Sequence, residues 1–181
     1  MFDFSSFPSL TTDRVVLREL QRDDAADVLV FRSDPEAQRF NSEPLRTLEQ
    51  SAALIDELLG AYANQNAVPW ALTLRESGRV VGLCGYNSWD RYHRRAEIGY
   101  DLARDVWGQG LATESLAAVV QFGFSQMQLN RIEAQTIADN ERSVRLLGRL
   151  GFALEGLRRQ HSWEEDGTFH DGAIYGLLSD R

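Results

Sequence analysis

The stretch Trp107-Gly108-Gln109-Gly110-Leu111-Ala112-Thr113-Glu114 decides how the rest of this chain is read. Two glycines two residues apart let a backbone approach a ligand without interference from Cβ atoms. The residues that follow, as far as Met127, are largely apolar and read as a helix, so the glycines form a strand-to-helix turn. At a helix start the first N–H groups have no intrahelical acceptor, and the helix dipole adds partial positive charge. Such a turn can hold a diphosphate on main-chain amides alone. It can equally be a tight connection with no ligand, and the turn by itself leaves both readings open.

Composition narrows the ligand. All 19 basic side chains are arginine, and the chain has no lysine. That excludes a P-loop, a kinase-type ATP site and a pyridoxal Schiff base, each of which needs a lysine. A dinucleotide turn wants a third glycine where Thr113 stands, and an acidic residue at the end of the following strand. That strand ends near Ile137, and Asp139 lies too far along. Coenzyme A, whose pyrophosphate can rest on amides, is the ligand class left.

Outward from the turn, the chain reads as one domain over residues 1–181 without repeats or linkers. Arg14 to Glu19 alternates as a strand, Asp23 and Asp24 open a helix toward Arg32, and a second helix begins near Thr47. Strands follow at Val68 to Leu74, Arg79 to Tyr86 and Ala96 to Leu102, with Asn87 to Arg95 taken as a turn. Arg131 to Ile137 is a strand, and Asp139-Asn140 begins a helix that Gly151 stops. Leu154 to Trp163 and Thr168 to Leu178 read as a hairpin turned at Glu164 to Gly167. This pattern predicts an α/β (α+β) fold: a mixed, mostly antiparallel sheet with helices on both faces.

On these residues the chain resembles the GCN5-related N-acetyltransferases, whose signature is Gln/Arg-x-x-Gly-x-Gly/Ala. Trp107 departs from the leading Gln or Arg. A tryptophan there, with Thr113-Glu114 behind, is similar to the RimJ/RimL-like branch that acetylates ribosomal-protein N-termini. Thr12-Asp13-Arg14, Ala96-Glu97-Ile98-Gly99-Tyr100, Asn140-Glu141-Arg142-Ser143, Gly151-Phe152 and the closing Asp166-Gly167 with His170-Asp171 also match, in order. The resemblance implies the acetyltransferase fold, with a central sheet of about seven strands flanked by helices.

It also implies a set of site residues. Gly108, Gln109, Gly110, Leu111, Ala112 and Thr113, with Trp107 before them, would bind the pyrophosphate of acetyl-CoA. Ile98, Tyr100 and Leu102 would run beside the pantetheine arm where two strands splay apart. Asn140 would contact that arm, or serve only as a helix N-cap. Ser143 would protonate the departing thiolate, or bond locally to the backbone. Glu97, which alternation puts on the opposite face from Ile98 and Tyr100, is the candidate base; a solvent-facing glutamate is the alternative. No metal is implied, since one cysteine and three scattered histidines offer no ligand spacing.

The acceptor is the least defined element. At pH 7 a protein α-amine costs about 1 kcal/mol to deprotonate and a lysine about 4.6 kcal/mol, so an α-amine needs only a weak base. A ribosomal-protein N-terminus is the expected acceptor by resemblance; a polyamine, amino acid or aminoglycoside is the alternative. A coenzyme A-binding regulatory module without catalysis is the rival of another class. Net charge −8 argues against nucleic acid and suits either a cationic acceptor or simple solubility. No stretch is apolar enough to span a bilayer, the start lacks a signal pattern, and lone Cys84 suits a reducing cytoplasm. A homodimer is a family tendency. His161, His170 and the tryptophans Trp70, Trp89 and Trp163 are further candidates for lining a substrate cleft.

Overall fold

The computed structural model describes residues 2–164 and 166–179, and among them lie eight strands and five α-helices. β1 (Leu10–Thr11) and β2 (Val15–Arg18) lead through a 3-10 turn into α1 (Ala25–Arg32), α2 (Pro35–Gln38) and α3 (Leu48–Ala63). β3 (Val68–Leu74), β4 (Val80–Asp90) and β5 (Arg95–Leu102) follow as a meander. α4 (Leu111–Ser125), β6 (Arg131–Ile137), α5 (Glu141–Arg149) and the hairpin β7 (Ala153–Trp163) and β8 (Phe169–Leu178) complete the fold.

Local chemistry sets the helix starts. Thr47 and Gln50 form a reciprocal capping box on α3, which satisfies two otherwise orphaned donors. Asp34 accepts from the Glu36 amide ahead of Pro35, which starts α2. The short α2 is absent from the expected elements, although Asp34-Pro35 is a start signal. Its four residues are too few to show helical periodicity.

The sheet runs β1-β2-β3-β4-β5-β6-β8-β7, and every neighbouring pair is antiparallel except β5 with β6. The count is eight rather than about seven because two-residue β1 is too short to alternate visibly. The expected turn at Asn87 to Arg95 is shorter. β4 continues to Asp90 and β5 starts at Arg95, so the polar residues there are an exposed strand end and not a loop. Glu165, in the expected hairpin turn, lies outside the described residues.

Strand alternation sorts the helices onto two faces. Trp70 of β3 packs edge-on against Phe122 of α4, with ring centroids 5.3 Å apart. Its neighbour Pro69 faces the other way, toward a cleft it lines together with Leu58 of α3. Tyr86 sends its hydroxyl to the Val119 carbonyl of α4 at 2.8 Å, which satisfies a polar tip inside the core. Thus α4 and α5 cover one face and α1 to α3 the other. Phe2, Phe4 and Phe7 of the N-terminal segment add an aromatic seam against Tyr62, Trp89 and Phe122.

Candidate active site

β5 and β6 pair over only three residues, Arg95 to Glu97 against Arg131 to Glu133. Beyond that point they part, while β4 stays bonded to β5 as far as Leu102 and β8 to β6 as far as Ile137. The gap opens into a cleft of about 760 Å³. Of the expected residues, Glu97, Ile98, Tyr100, Leu102, Trp107, Gly108, Gly110, Leu111, Ala112, Thr113, Asn140 and Ser143 all line it. Gln109 does not line it. Its side chain turns back to donate to the Asp105 carbonyl at 3.0 Å.

The glycine turn is built for backbone exposure. A 3-10 turn, Arg104–Val106, separates it from β5, so the expected direct strand-to-helix step is one turn longer. Gly108 and Gly110 have φ of 74° and 80°, the left-handed region that side chains resist. No side chain caps α4; its first intrahelical bond runs from the Glu114 amide to the Gly110 carbonyl at 3.1 Å. The preceding amides are left for whatever occupies the cleft.

A brace from the other end of the chain fixes this turn. Glu114 Oε1 accepts from the Thr12 hydroxyl at 2.6 Å and the Arg14 amide at 2.8 Å. Arg14 pairs with Glu114 Oε2 at 2.7 Å and also donates to the Gln109 carbonyl at 2.8 Å. Thr12, Arg14 and Glu114 are one structural unit, and these contacts hold the Glu114 carboxyl below its ordinary pKa although burial acts the other way. Trp107 closes the near side: its indole donates to the Leu102 carbonyl at 3.0 Å, and the Arg142 guanidinium lies 3.9 Å over its ring.

Deeper in, the Ser143 hydroxyl forms a short hydrogen bond with the Tyr100 hydroxyl, and not the local backbone bond its position also allowed. Burial pushes the Tyr100 phenol up to about 12, so it keeps its proton at neutral pH. Asn140 does cap α5, accepting from the Ser143 amide at 3.2 Å, while also facing the cleft. The cap therefore orients the serine.

Glu97, Gly99 and Asp101 occupy the alternate positions of β5, toward α1 to α3. Glu97 accepts from Gln135 of β6 at 3.0 Å, across the point where the strands part. A Cβ on Gly99 would fall 2.2 Å from the Asn87 amide nitrogen, so the glycine makes room for that side chain, which bulges out of β4 into the cleft. Asp101 is buried with Arg32 Nε 2.8 Å from Oδ2, yet neither carboxylate oxygen receives a well-aligned hydrogen bond. Burial pushes its carboxyl up to about 6, against the pull of Arg32 and Gln38.

Asp101, Arg32, Asn87 and Gln135 are site residues that sequence reasoning missed. A carboxylate between Tyr100 and Leu102 in a buried strand was the available signal for the first. Trp70 is core, Trp89 packs on Phe2 and Phe4, and exposed Trp163 meets Phe169 edge-on; none lines the cleft. Nor does His161 or His170. His170 is held between Asp139 and Asp166 at 2.7 and 2.8 Å. Cys84 is buried in β4, where burial pushes its thiol up to about 12, so it is no nucleophile. No cluster of metal-ligating side chains occurs among the described residues.

The model of the acetyltransferase (GNAT) domain matches residues 14–153. The chain belongs to the GNAT acetyltransferases. It is an acetyl-CoA-dependent N-acetyltransferase. Its relatives include the uncharacterized N-acetyltransferase YoaA of Bacillus subtilis, 35% identical over 97% of this chain and 99% of YoaA. Another, YdaF of Bacillus subtilis, is provisionally named as a ribosomal N-acetyltransferase; it is 28% identical over 77% of this chain and 74% of its own. Among solved structures, RimL, a ribosomal L7/L12 α-N-protein acetyltransferase in complex with coenzyme A, superposes with a TM-score of 0.87. That match covers 96% of this chain and 99% of RimL at 20% identity, a likeness of fold.

Proposed function

We propose that this acetyltransferase acts on a protein N-terminal α-amine, with a ribosomal protein as the acceptor. A single domain over residues 1–181 would carry the whole reaction. The observation that carries the reading is the asymmetry of the cleft. One wall offers amides and hydroxyls; the other offers carboxylates, Glu97 and Asp101, that suit a cationic amine. The provisional name of YdaF points the same way.

Gly108 to Thr113 would hold the pyrophosphate of acetyl-CoA, through the amides that no helical carbonyl accepts from. The backbone of Ile98 to Leu102, unpaired toward β6, would hold the pantetheine arm, and Asn140 would meet it from α5. Acetyl-CoA, when bound, supplies an acyl carbon already activated by its thioester. Glu97, directly or through a water, would take a proton from the ammonium, which leaves a neutral nitrogen to attack. Ser143 would give its proton to the sulfur as the carbon–sulfur bond breaks. Tyr100 can pass its own proton to Ser143 through their shared hydrogen bond.

The test is thiol release from acetyl-CoA with three acceptors: ribosomal-protein N-terminal peptides, the same peptides with blocked N-termini, and polyamines. Release with the free N-terminal peptides alone supports the reading. Release with polyamines and not with the peptides overturns it in favour of a small-amine acceptor. Replacing Glu97→Gln should lower kcat by about a hundredfold with KM little changed; an undiminished kcat would return Glu97 to a structural strand position.

A further inference from the structure

β4 and β5 pair residue for residue from Gly82 with Leu102 to Tyr86 with Ile98, and pairing resumes at Ser88 with Glu97. Asn87 is the extra residue between them, a β-bulge. Tyr86 points to α4, where its hydroxyl meets the Val119 carbonyl. Asn87 points the other way, and its whole amide group lies over Gly99. A Cβ on Gly99 would come within 2.2 Å of Nδ2 and 2.9 Å of both Cγ and Oδ1. Because the bulge cancels one alternation, Ser88 stands on that face too, opposite Glu97. The bulge thus adds a side chain to the wall of Glu97 and Asp101, away from Ile98 and Tyr100.

That amide is free to bind. Two other amides that line the cleft are engaged: Gln135 lies between Glu97 and Arg158, and Asn140 caps the Ser143 amide. Asn87 is exposed in the cleft and has no hydrogen-bond partner among the described residues. Its position is nonetheless fixed, by the bulge behind it and by the room that Gly99 leaves. Gly99 lies two residues from Glu97 along an extended strand, about 7 Å. A group held between them can meet the carboxylate and the amide at once.

A side-chain amide carries a donor and an acceptor side by side. An extended residue offers the matching pair, since its own N–H and C=O point to one side, as in the exchanged bonds of antiparallel strands. At a peptide N-terminus that pair is the α-amine and the first carbonyl. We propose that Asn87 reads this α-aminoacyl unit, Oδ1 accepting one amine N–H and Nδ2 donating to the first carbonyl oxygen, and so selects an α-amine over a polyamine or a lysine side chain. The inference rests on the peptide acceptor proposed above and names how it is recognised. Of the three ammonium protons, Glu97 takes one and Oδ1 holds a second, and the lone pair left by the first turns to the thioester. A polyamine would leave Nδ2 without an acceptor, and a polar group unpaired in the complex costs affinity. A free amino acid would bring its carboxylate against Glu97 and Asp101.

The test compares kcat/KM for an N-terminal peptide and for its analogue with a trans alkene in place of the first amide bond, which keeps the shape and loses the carbonyl. Wild type and variants meet the same two amines, so the difference in amine basicity cancels between them. Asn87→Ala should lower the peptide-to-alkene ratio about tenfold. Asn87→Asp keeps an acceptor oxygen and loses the donor, and it should lower the ratio as much. Coenzyme A affinity, measured by calorimetry, should stay within about twofold in both variants. A ratio that neither variant changes would overturn the inference. So would loss of coenzyme A binding in both, which would make Asn87 a structural residue of the bulge. Wild-type turnover of polyamines, with neither the peptide nor its analogue acetylated, would overturn the peptide acceptor itself and this inference with it.

Discussion

The two faces of β5 differ in how they are built. On one, Ile98, Tyr100 and Leu102 look toward α4 and α5, where backbone amides and neutral hydroxyls line the cleft. On the other, Glu97, Gly99 and Asp101 look toward α1 to α3, where carboxylates, Arg32 and the Asn87 amide do. The first wall is made from β5, the glycine turn and the start of α5, and its chemistry is independent of pH near neutrality. The second is assembled from α1, β4 and β6 as well as β5, and it titrates. A cofactor shared by a whole family suits a wall of backbone; an acceptor that differs between relatives suits a wall of exchangeable side chains.

Breaking the first wall should have the largest effect. Gly110→Val forces a branched side chain into a left-handed backbone and should weaken coenzyme A binding by about a hundredfold or more. Calorimetry measures this, and the melting temperature should move only a few degrees. Binding within a factor of about three of the wild type would mean that the amides do not hold the cofactor.

Ser143→Ala keeps the wall and removes one proton donor. It should lower kcat by about ten- to a hundredfold with KM little changed. An equal rise in KM instead would make the serine a binding group. Because Asn140 caps through the Ser143 amide and not its hydroxyl, the variant should fold normally.

The second wall should reveal itself in stability against pH. The Asp101 carboxyl is raised from 3.8 to about 6, so the folded state holds its proton when the unfolded chain has lost it. Its contribution to stability is therefore greatest at low pH and declines as pH rises from about 4 to about 6. Relative to Asp101→Asn, the wild type should lose on the order of 3 kcal/mol across that window, since each pKa unit is worth about 1.4 kcal/mol. Urea unfolding at four pH values measures it, and parallel curves for the two proteins would contradict it.

The smallest effect lies outside both walls. Asp166, then Asp139, raise the His170 imidazole above its ordinary 6.5. That stabilisation is present in full below pH 6.5 and is lost as pH rises through the raised value. The His170 ring signals should titrate above 6.5 by NMR and return toward 6.5 in Asp166→Asn.

The same contrast explains what the sequence disclosed. The glycine turn, α5 with its Asn140 cap, and the strands Val68–Leu74 and Arg131–Ile137 were legible because their signals are local: positive-φ glycines, a capping side chain, alternation. The parting of β5 and β6 was available only through the family resemblance, since nothing in the composition of either strand marks where pairing stops. The pairing of Arg32 with Asp101, nearly 70 positions apart, has no local signature. The brace of Glu114 by Thr12 and Arg14 shows the intermediate case. Both motifs stand out in the sequence, but only the fold shows that they are one device.

The three-residue junction of β5 with β6 also has a mechanical meaning. It divides the eight strands into a five-stranded panel, β1 to β5, and a three-stranded panel of β6, β8 and β7, stitched at one end. From Ile98 to Leu102 the first panel therefore has a bare margin in the middle of the molecule, of the kind sheets ordinarily keep at their outer rim. A ligand laid along that margin joins the panels as a ninth strand would. Amide exchange at Ile98 to Leu102 should then slow on loading, and the two panels should unfold more nearly as one body.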